Sequence, residues 1–326
     1  MTIDAEILSA LRQTRDGYVS GADLAQRLGI SRAAIWARIE DLRRLGYDIE
    51  ASPHKGYRLL GMPDVLHADD LMSRLGETRV IGRVIQVFEE TNSTNDLAER
   101  LARDGAKEGA VVIAESQTKG RGRMGRVWVS PPRQGLWLSV LLRPALPPQA
   151  ATQITIAAAT ALSRAIRQVC ALRAEIKWPN DILFRGRKAA GILTELSADL
   201  DQIKQAVVGV GVDVNLAAAD FPVALRKTAT SLRIECGQPV SRAELATAFL
   251  RELDQAYALI CDQQFERLAD EWMQQCSTIG QPVRIQVGGR TVFGRAEALD
   301  SDGALLVRAQ HGHLERITGG DVILEK

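Results

Sequence analysis

At 326 residues the chain is long enough for two or three domains with separate cores. Its apolar fraction of 46% and charged fraction of 25% are those of an ordinary globular protein. A net charge of +1 excludes a protein that coats nucleic acid by bulk charge, but leaves room for a small DNA-reading module. Cys170, Cys236, Cys261 and Cys276 lack CxxC spacing, which fits free thiols in a reducing compartment and argues against zinc. His311 and His313 flank a glycine in what reads as a turn, so no metal site is expected. There is no basic, then apolar, leader and no apolar run of membrane-spanning length. The expectation is a cytoplasmic protein that makes no use of a membrane.

Residues 3–14 carry Ile7, Leu8 and Leu11 at helical spacing. Ser20 to Asp23 opens a second helix, with Leu24 and Leu28 on one face and Gly29 as its stop. Ser31 caps a third, in which Ile35, Ile39 and Leu42 form a core stripe. Two short helices joined by Gly29-Ile30 make a helix-turn-helix pattern. The outward face of the later helix carries Arg32, Ala33, Trp36, Ala37 and Glu40, and small and polar side chains near a helix start suit entry into a major groove. Residues 46–50 and 56–60 read as strands around Pro53-His54-Lys55, a wing from which Lys55 and Arg58 reach phosphates. Residues 1–62 are therefore read as a winged helix-turn-helix DNA-binding domain. A three-helix module that binds protein, or nothing, is the alternative.

After a linker at Met62-Pro63-Asp64, residues 67–277 alternate strands and helices, which suggests α/β or α+β. A strand over 84–89 runs into Thr91-Asn92-Ser93-Thr94-Asn95 and then a helix, which places hydroxyls and amides at the positive end of a helix. Gln117, able to donate and accept, suits a planar urea or amide. Next comes a run in which Gly120, Gly122 and Gly125 are interleaved with Arg121, Arg123 and Arg126, closed by Trp128. Glycine lets the backbone approach a ligand, successive N–H groups make an anion cradle, and arginine supplies a permanent planar fork. Its flanks, 110–115 and 136–142, are apolar and β-prone, so the loop is expected to join two strands and overhang one end of a sheet.

Residues 149–172 read as a long helix, and Lys177-Trp178-Pro179-Asn180-Asp181 ends a strand. Residues 184–188 read as a hairpin turn that delivers Lys188 into a strand over 189–196. Gly209-Val210-Gly211-Val212-Asp213 ends another β-like run, whose glycines permit close approach. Residues 241–269 read as helical. Residues 278–326 show short alternating segments split by Gly288-Gly289 and Asp302-Gly303, a small β-barrel with no catalytic signature.

Taken together and in this order, T-N-S-T-N, Q-T-K-G-R-G-R-M-G-R-V-W, K-W-P-N-D, R-K-A-A-G-I-L-T-E-L and G-V-G-V-D-V-N closely resemble the family of bifunctional biotin–protein ligases that also repress biotin operons. S-R-A-A-I resembles that family's recognition helix. The resemblance spans the whole chain. It implies a central mixed-sheet domain of the biotin/lipoate-ligase type and an SH3-like barrel after it. It implies that Ser93, Thr94, Asn95, Gln117, Arg121, Gly122, Arg123 and Lys188 meet biotin. Arg121, Arg123, Trp128, Asn180 and Lys188 would meet ATP or the adenylate. Lys188, Arg121, Arg123 and Asp181 would serve catalysis, and Ser31, Arg32, Ala33, Trp36 and Ala37 would meet DNA. The substrates implied are biotin and ATP with Mg²⁺. The partners implied are the biotin carboxyl carrier protein, biotin operon DNA and, with adenylate bound, a second copy of the chain. Two positions depart from the family pattern: Met124 replaces a frequent basic residue, and Asp213 stands where Asn is usual. A ligand-sensing transcription factor that has lost catalysis, a lipoate or octanoate transferase, and a ligase whose helix-turn-helix no longer reads DNA are the rival readings.

Overall fold

Three side-chain caps start the helices of the N-terminal region. Thr2 accepts from the N–H of Ala5, Ser20 from those of Ala22 and Asp23, and Ser31 from that of Ala34. The helices that follow are α1 (Ile3–Gln13), α2 (Gly21–Leu28) and α3 (Arg32–Arg44), and Gly29 closes α2 at φ 67°. Their apolar stripes meet in one core, with Ile7, Leu8, Leu11, Leu24, Ile35, Ile39 and Leu42 buried. β1 (Asp48–Ser52) and β2 (Gly56–Gly61) pair as an antiparallel wing. The computed structural model describes residues 2–14, 17–309 and 312–324, so His311 lies outside the described residues.

A fourth helix, α4 (Ala68–Leu75), packs on α1. Asp70 on α4 is ion-paired with Arg12, and with Arg74 Nε at 2.8 Å. Burial, reinforced by the charge of Arg74, pulls the Arg12 guanidinium down to about 10. This compact unit runs from Met1 to Glu77, later than the start at 67 that the sequence suggests for the central domain.

The second unit, Thr78–Lys326, is built on a seven-stranded mixed sheet among the described residues. Its strands are β3 (Val84–Thr91), β4 (Ala110–Gln117), β5 (Leu136–Leu142), β6 (Glu175–Lys177), β7 (Asp181–Phe184), β8 (Arg187–Ala198) and β9 (Ile203–Val212). They lie in the order β3-β4-β5-β9-β8-β7-β6. Only β3 and β4 are parallel, and α5 (Thr94–Arg103) crosses between them. β5 is buried along its whole length, as its unbroken apolar run requires. The turn at Arg185 (φ 51°) and Gly186 (φ 74°) has the two left-handed residues of a tight hairpin, as the sequence suggests.

On the other face lie α6 (Thr152–Cys170), α8 (Arg242–Cys261) and α9 (Phe265–Gln275), with the short α7 (Leu232–Cys236) preceding α8. The sequence reads 241–269 as one helix. The structure breaks it, because Gln263 adopts φ 56°, and no glycine or proline marks the spot. Two buried carboxylates bind distant segments together. Asp254 accepts the backbone N–H groups of Arg79, Val80 and Ile81, and Glu115 on β4 pairs with the fully buried Arg242.

β10 (Pro282–Val287), β11 (Arg290–Leu299), β12 (Leu305–Ala309), β13 (Leu314–Ile317) and β14 (Asp321–Leu324) form a five-stranded antiparallel sheet. Its order, β13-β12-β11-β10-β14, is open at both ends among the described residues, so the ring of a closed barrel is not completed. The last strand carries no alternation visible in the sequence. It is fixed by pairing to β10, from Gln286↔Asp321 to Val283↔Leu324.

Candidate active site

One cavity of about 320 Å³ opens on the α5 face of the central sheet. Three glycines make its floor. Gly191 on β8 pairs with Gly211 on β9, and Gly209 lies two residues away on the same face. A side chain on Gly209 would collide with Asn95, and a methyl on Gly211 would lie 2.6 Å from Nε1 of Trp128. These glycines are there because other side chains lie flat upon the strands.

At one end, Ser93 stands at the N-cap position of α5 without a side-chain capping bond, and Ser93, Thr94 and Asn95 are all buried. The Thr94 N–H donates to Gln117 Oε1 at 2.9 Å, and Gln117 Nε2 donates to Ser130 at 2.9 Å. Ser139 on β5 donates to Asn95 Oδ1 at 2.6 Å and shares a hydrogen bond with the Thr94 hydroxyl at 2.7 Å. Nothing in the sequence singled out Ser139, yet as a lone hydroxyl in an apolar strand it orients two residues that were. The result is a fixed polar wall suited to a small, neutral, hydrogen-bonding ring.

The arginine–glycine loop closes the mouth. It leaves β4, returns to β5, and is pinned by Gly122 N–H to Arg126 O at 2.7 Å and Trp128 N–H to Gly120 O at 2.9 Å. Met124 sits at φ 57°, within a single 3-10 turn. Arg121 donates to Asp96 at 2.6 Å and reaches Glu195 at 3.1 Å. Burial pulls its guanidinium down, but the bond to Asp96 and the charge of Glu195 outweigh that and hold it above its ordinary value. Arg123 is more enclosed: it donates to Asn180 Oδ1 and to the carbonyl of Gly320, each at 3.1 Å, and burial holds it below the usual guanidinium range. Arg126 pairs with Asp321, so the C-terminal sheet contributes to the mouth. That contribution is not legible in the sequence.

Between wall and mouth stand the remaining charges. Lys188 is half-buried, 2.6 Å from Asp181 and 5.2 Å from the centre of the Trp128 ring. The indole Nε1–H of Trp128 is buried without a hydrogen-bond partner among the described residues. Asn180 is held by Ile192 O at 2.8 Å. Every residue expected to meet a small ligand lines this one cavity, from Ser93 to Lys188. Leu216, Phe221, Leu225, Thr228 and Ala229 line it too, and the sequence offered no motif for them. Chemically it is a polar wall, a cationic mouth and an apolar end beside a tryptophan, a shape for a neutral ring joined to an anion and a flat base. No group of three or more His, Cys, Asp or Glu side chains able to hold a metal occurs among the described residues.

The residues expected to meet DNA lie elsewhere, on the N-terminal unit. Ser31, Arg32, Ala33, Trp36 and Ala37 are all exposed on the first two turns of α3, with Trp36 58% exposed. On the wing, Lys55 and Arg58 lie over the ring of Tyr18. No helix of the described residues is long and apolar enough to cross a membrane.

Comparison with known proteins agrees with this division. Residues 87–213 match the biotin/lipoate A/B protein ligase family, residues 5–58 an HTH domain, and residues 278–325 the biotin protein ligase C-terminal domain. The chain is 36% identical over 323 residues to the bifunctional ligase/repressor BirA of Bacillus spizizenii, covering 99% of each. To the protein of the same name in Escherichia coli it is 33% identical over 307 residues, covering 94% of this chain and 93% of that one. The biotin protein ligase of Aquifex aeolicus, solved with biotin and ATP, superposes with a TM-score of 0.64 at 26% identity, covering 75% of this chain and 99% of that one.

Proposed function

The chain belongs to the biotin protein ligase family, within its bifunctional ligase/repressor branch, and from that premise we propose how its own residues divide the work. It is an ATP-dependent, AMP-forming biotin ligase and a repressor. Biotin's ring lies against Ser93, Thr94, Asn95 and Gln117, and internal hydrogen bonds already fix the last three for it. Its carboxylate points past Trp128 toward Lys188.

A carboxylate is a poor acyl donor because oxide is a poor leaving group. Attack of its oxygen on the α-phosphorus of ATP forms biotinyl-5′-AMP and expels pyrophosphate. Two anions must approach, so positive charge is the main requirement. Arg121, Arg123 and Lys188, all lining the cavity, supply it. Mg²⁺ enters with the nucleotide, as part of that substrate. Each cation is held ready by a group that ligand displaces: Asp96 and Glu195 for Arg121, Asn180 for Arg123, Asp181 for Lys188. In the second step a lysine amine of the biotin carboxyl carrier protein attacks the acyl carbon and AMP departs. Asp181, released when Lys188 turns to the carboxylate and phosphate, accepts the proton of that amine.

The ligase works in the cytoplasm. Closure of the loop over the adenylate favours a dimer, and two copies of α3 then meet a two-fold biotin operator through Ser31, Arg32, Ala33, Trp36 and Ala37. The single observation that carries the ligase assignment is the convergence of Arg121, Arg123 and Lys188 on one cavity beside a polar wall. Biotin-dependent ATP/pyrophosphate exchange tests it, with lipoate as the competing acid. Arg121→Ala/Arg123→Ala should lower exchange by about a hundredfold or more while leaving the fold intact. Tight retention of biotinyl-AMP by that variant would remove the arginines from the mechanism.

A further inference from the structure

The Asn95 side chain lies flat across three strands. Ser139 on β5, Gly209 on β9 and Leu193 on β8 stand side by side in register. Oδ1 of Asn95 accepts from the Ser139 hydroxyl at 2.6 Å, and the amide crosses Gly209. Its Nδ2 donates to the carbonyl of Leu193 at 3.3 Å and to Glu195 Oε2 at 2.6 Å. Two acceptors on one side and a hydroxyl on the other fix which way the amide points. Both of its N–H bonds are thereby used within the protein. Asn95 meets a ligand as a flat surface, and its amide holds Glu195 in place.

Alternation along β8 brings Glu195 to the same side of the sheet as Leu193. Its two carboxylate oxygens take Nη2 of Arg121 at 3.1 and 3.2 Å, while Asp96 on α5 takes Nη1 at 2.6 Å. Neither carboxylate pairs with another cation among the described residues. One guanidinium thus stands between two carboxylates, and that corner of the site carries surplus negative charge. An anion in the cavity engages Arg121 only by replacing one of them. Asp96 lies in the first turn of α5, where the helix end favours its charge, and its bond is the shorter. Glu195 has the longer bonds and no helix end behind it, so its hold is the one an anion breaks first.

We propose that Glu195 is a positioning residue for Arg121: from a place fixed by Asn95 and Ser139, it competes with the bound carboxylate and phosphate for that arginine, and so limits how tightly the activated intermediate is held. This rests on the ligase reading above. The pair fixes the arginine before a ligand arrives, and the ligand must break it. A contact made only in the empty site weakens binding by its own strength. The Asp96 and Glu195 side chains are 47% and 43% exposed, so water screens both pairs and the effect of either is severalfold at most. Once the acyl group has passed to the carrier, AMP alone engages the arginine, and Glu195 takes it back.

The test loads the full chain with labelled synthetic biotinyl-AMP and follows release of the label into an excess of unlabelled biotin and ATP. Glu195→Gln keeps an acceptor for Asn95 but removes the charge from Arg121. It should slow release by about three- to fivefold, since affinity changes of this kind fall mainly on the off-rate. Asp96→Asn should act in the same direction. A residue that merely supports the fold would loosen the site when replaced, so slower release separates the two roles. On an Arg121→Ala background, Glu195→Gln should change release by less than about 1.5-fold, because the group it competes for is gone. Release from Glu195→Gln as fast as from the parent or faster, or a slowing that persists without Arg121, overturns the assignment while leaving the ligase reading intact. Absence of biotin-dependent pyrophosphate exchange in the parent fails the ligase reading itself, and the competition for Arg121 with it.

Discussion

The two functional surfaces of this chain handle charge in opposite ways. On α3, Arg32, Ala33 and Trp36 project into solvent, and Arg32 forms no ion pair among the described residues. Around the cavity the three cations assigned to the chemistry are already engaged: Arg121 by two carboxylates, Arg123 by an amide and a carbonyl, Lys188 by a carboxylate and an indole face. A surface that meets a polyanion of low curvature needs only exposure and a rigid helix. A cavity that must gather two small anions needs its cations held at fixed points, because a free arginine there would lose side-chain entropy on every turnover. The difference predicts that substitutions on α3 act on affinity alone, whereas substitutions in the cavity change both chemistry and local order.

The comparison can be broken most sharply with a third kind of charge, one that meets no ligand. Arg242 is fully buried against Glu115 and serves only the scaffold. Arg242→Ala strands a carboxylate in the core and should cost about 3–5 kcal/mol in the unit 78–326, read by urea unfolding, with exchange lost in proportion to unfolding. Lys188→Ala should do the reverse: adenylate synthesis should fall about 10²–10³-fold, worth ~3–4 kcal/mol, with an unfolding midpoint near that of the parent. If Lys188→Ala unfolds the protein while Arg242→Ala spares it, the assignment of roles is inverted. The smallest effect should come from α3. Trp36→Ala should weaken binding to DNA upstream of the biotin genes by about 1–2 kcal/mol, in a gel shift with biotin and ATP present, while exchange is unaltered. A change in exchange would mean that the two surfaces are not as separable as their electrostatics suggest.

Local signals carried the fold furthest where chemistry and geometry coincide. Ser20, Ser31 and Gly29 each perform in the structure the capping act that their type suggests, so the helix-turn-helix was legible. Arg185-Gly186 announced the hairpin that presents Lys188. The break at Gln263 was not legible, because a glutamine at φ 56° is chosen by packing rather than by its own preference. Nor was α4, whose place beside α1 depends on Arg12 and Asp70, far apart in sequence. In the cavity the same rule holds. Ser93, Gln117, Arg121 and Lys188 stood out because their types are chemically expressive. Glu195, Ser139 and Gly320 did not, because a supporting partner is recognised only once the strands are paired.

Arg123 hangs from the carbonyl of Gly320, and Arg126 from Asp321. The strap is thus moored to the tail of the chain as well as to its own roots. A mixed anhydride survives only while bulk solvent is kept away from it. A slip of one register step where β14 meets β10 would let go of both moorings, and such a protein would still make its activated product but spill it before any carrier arrived.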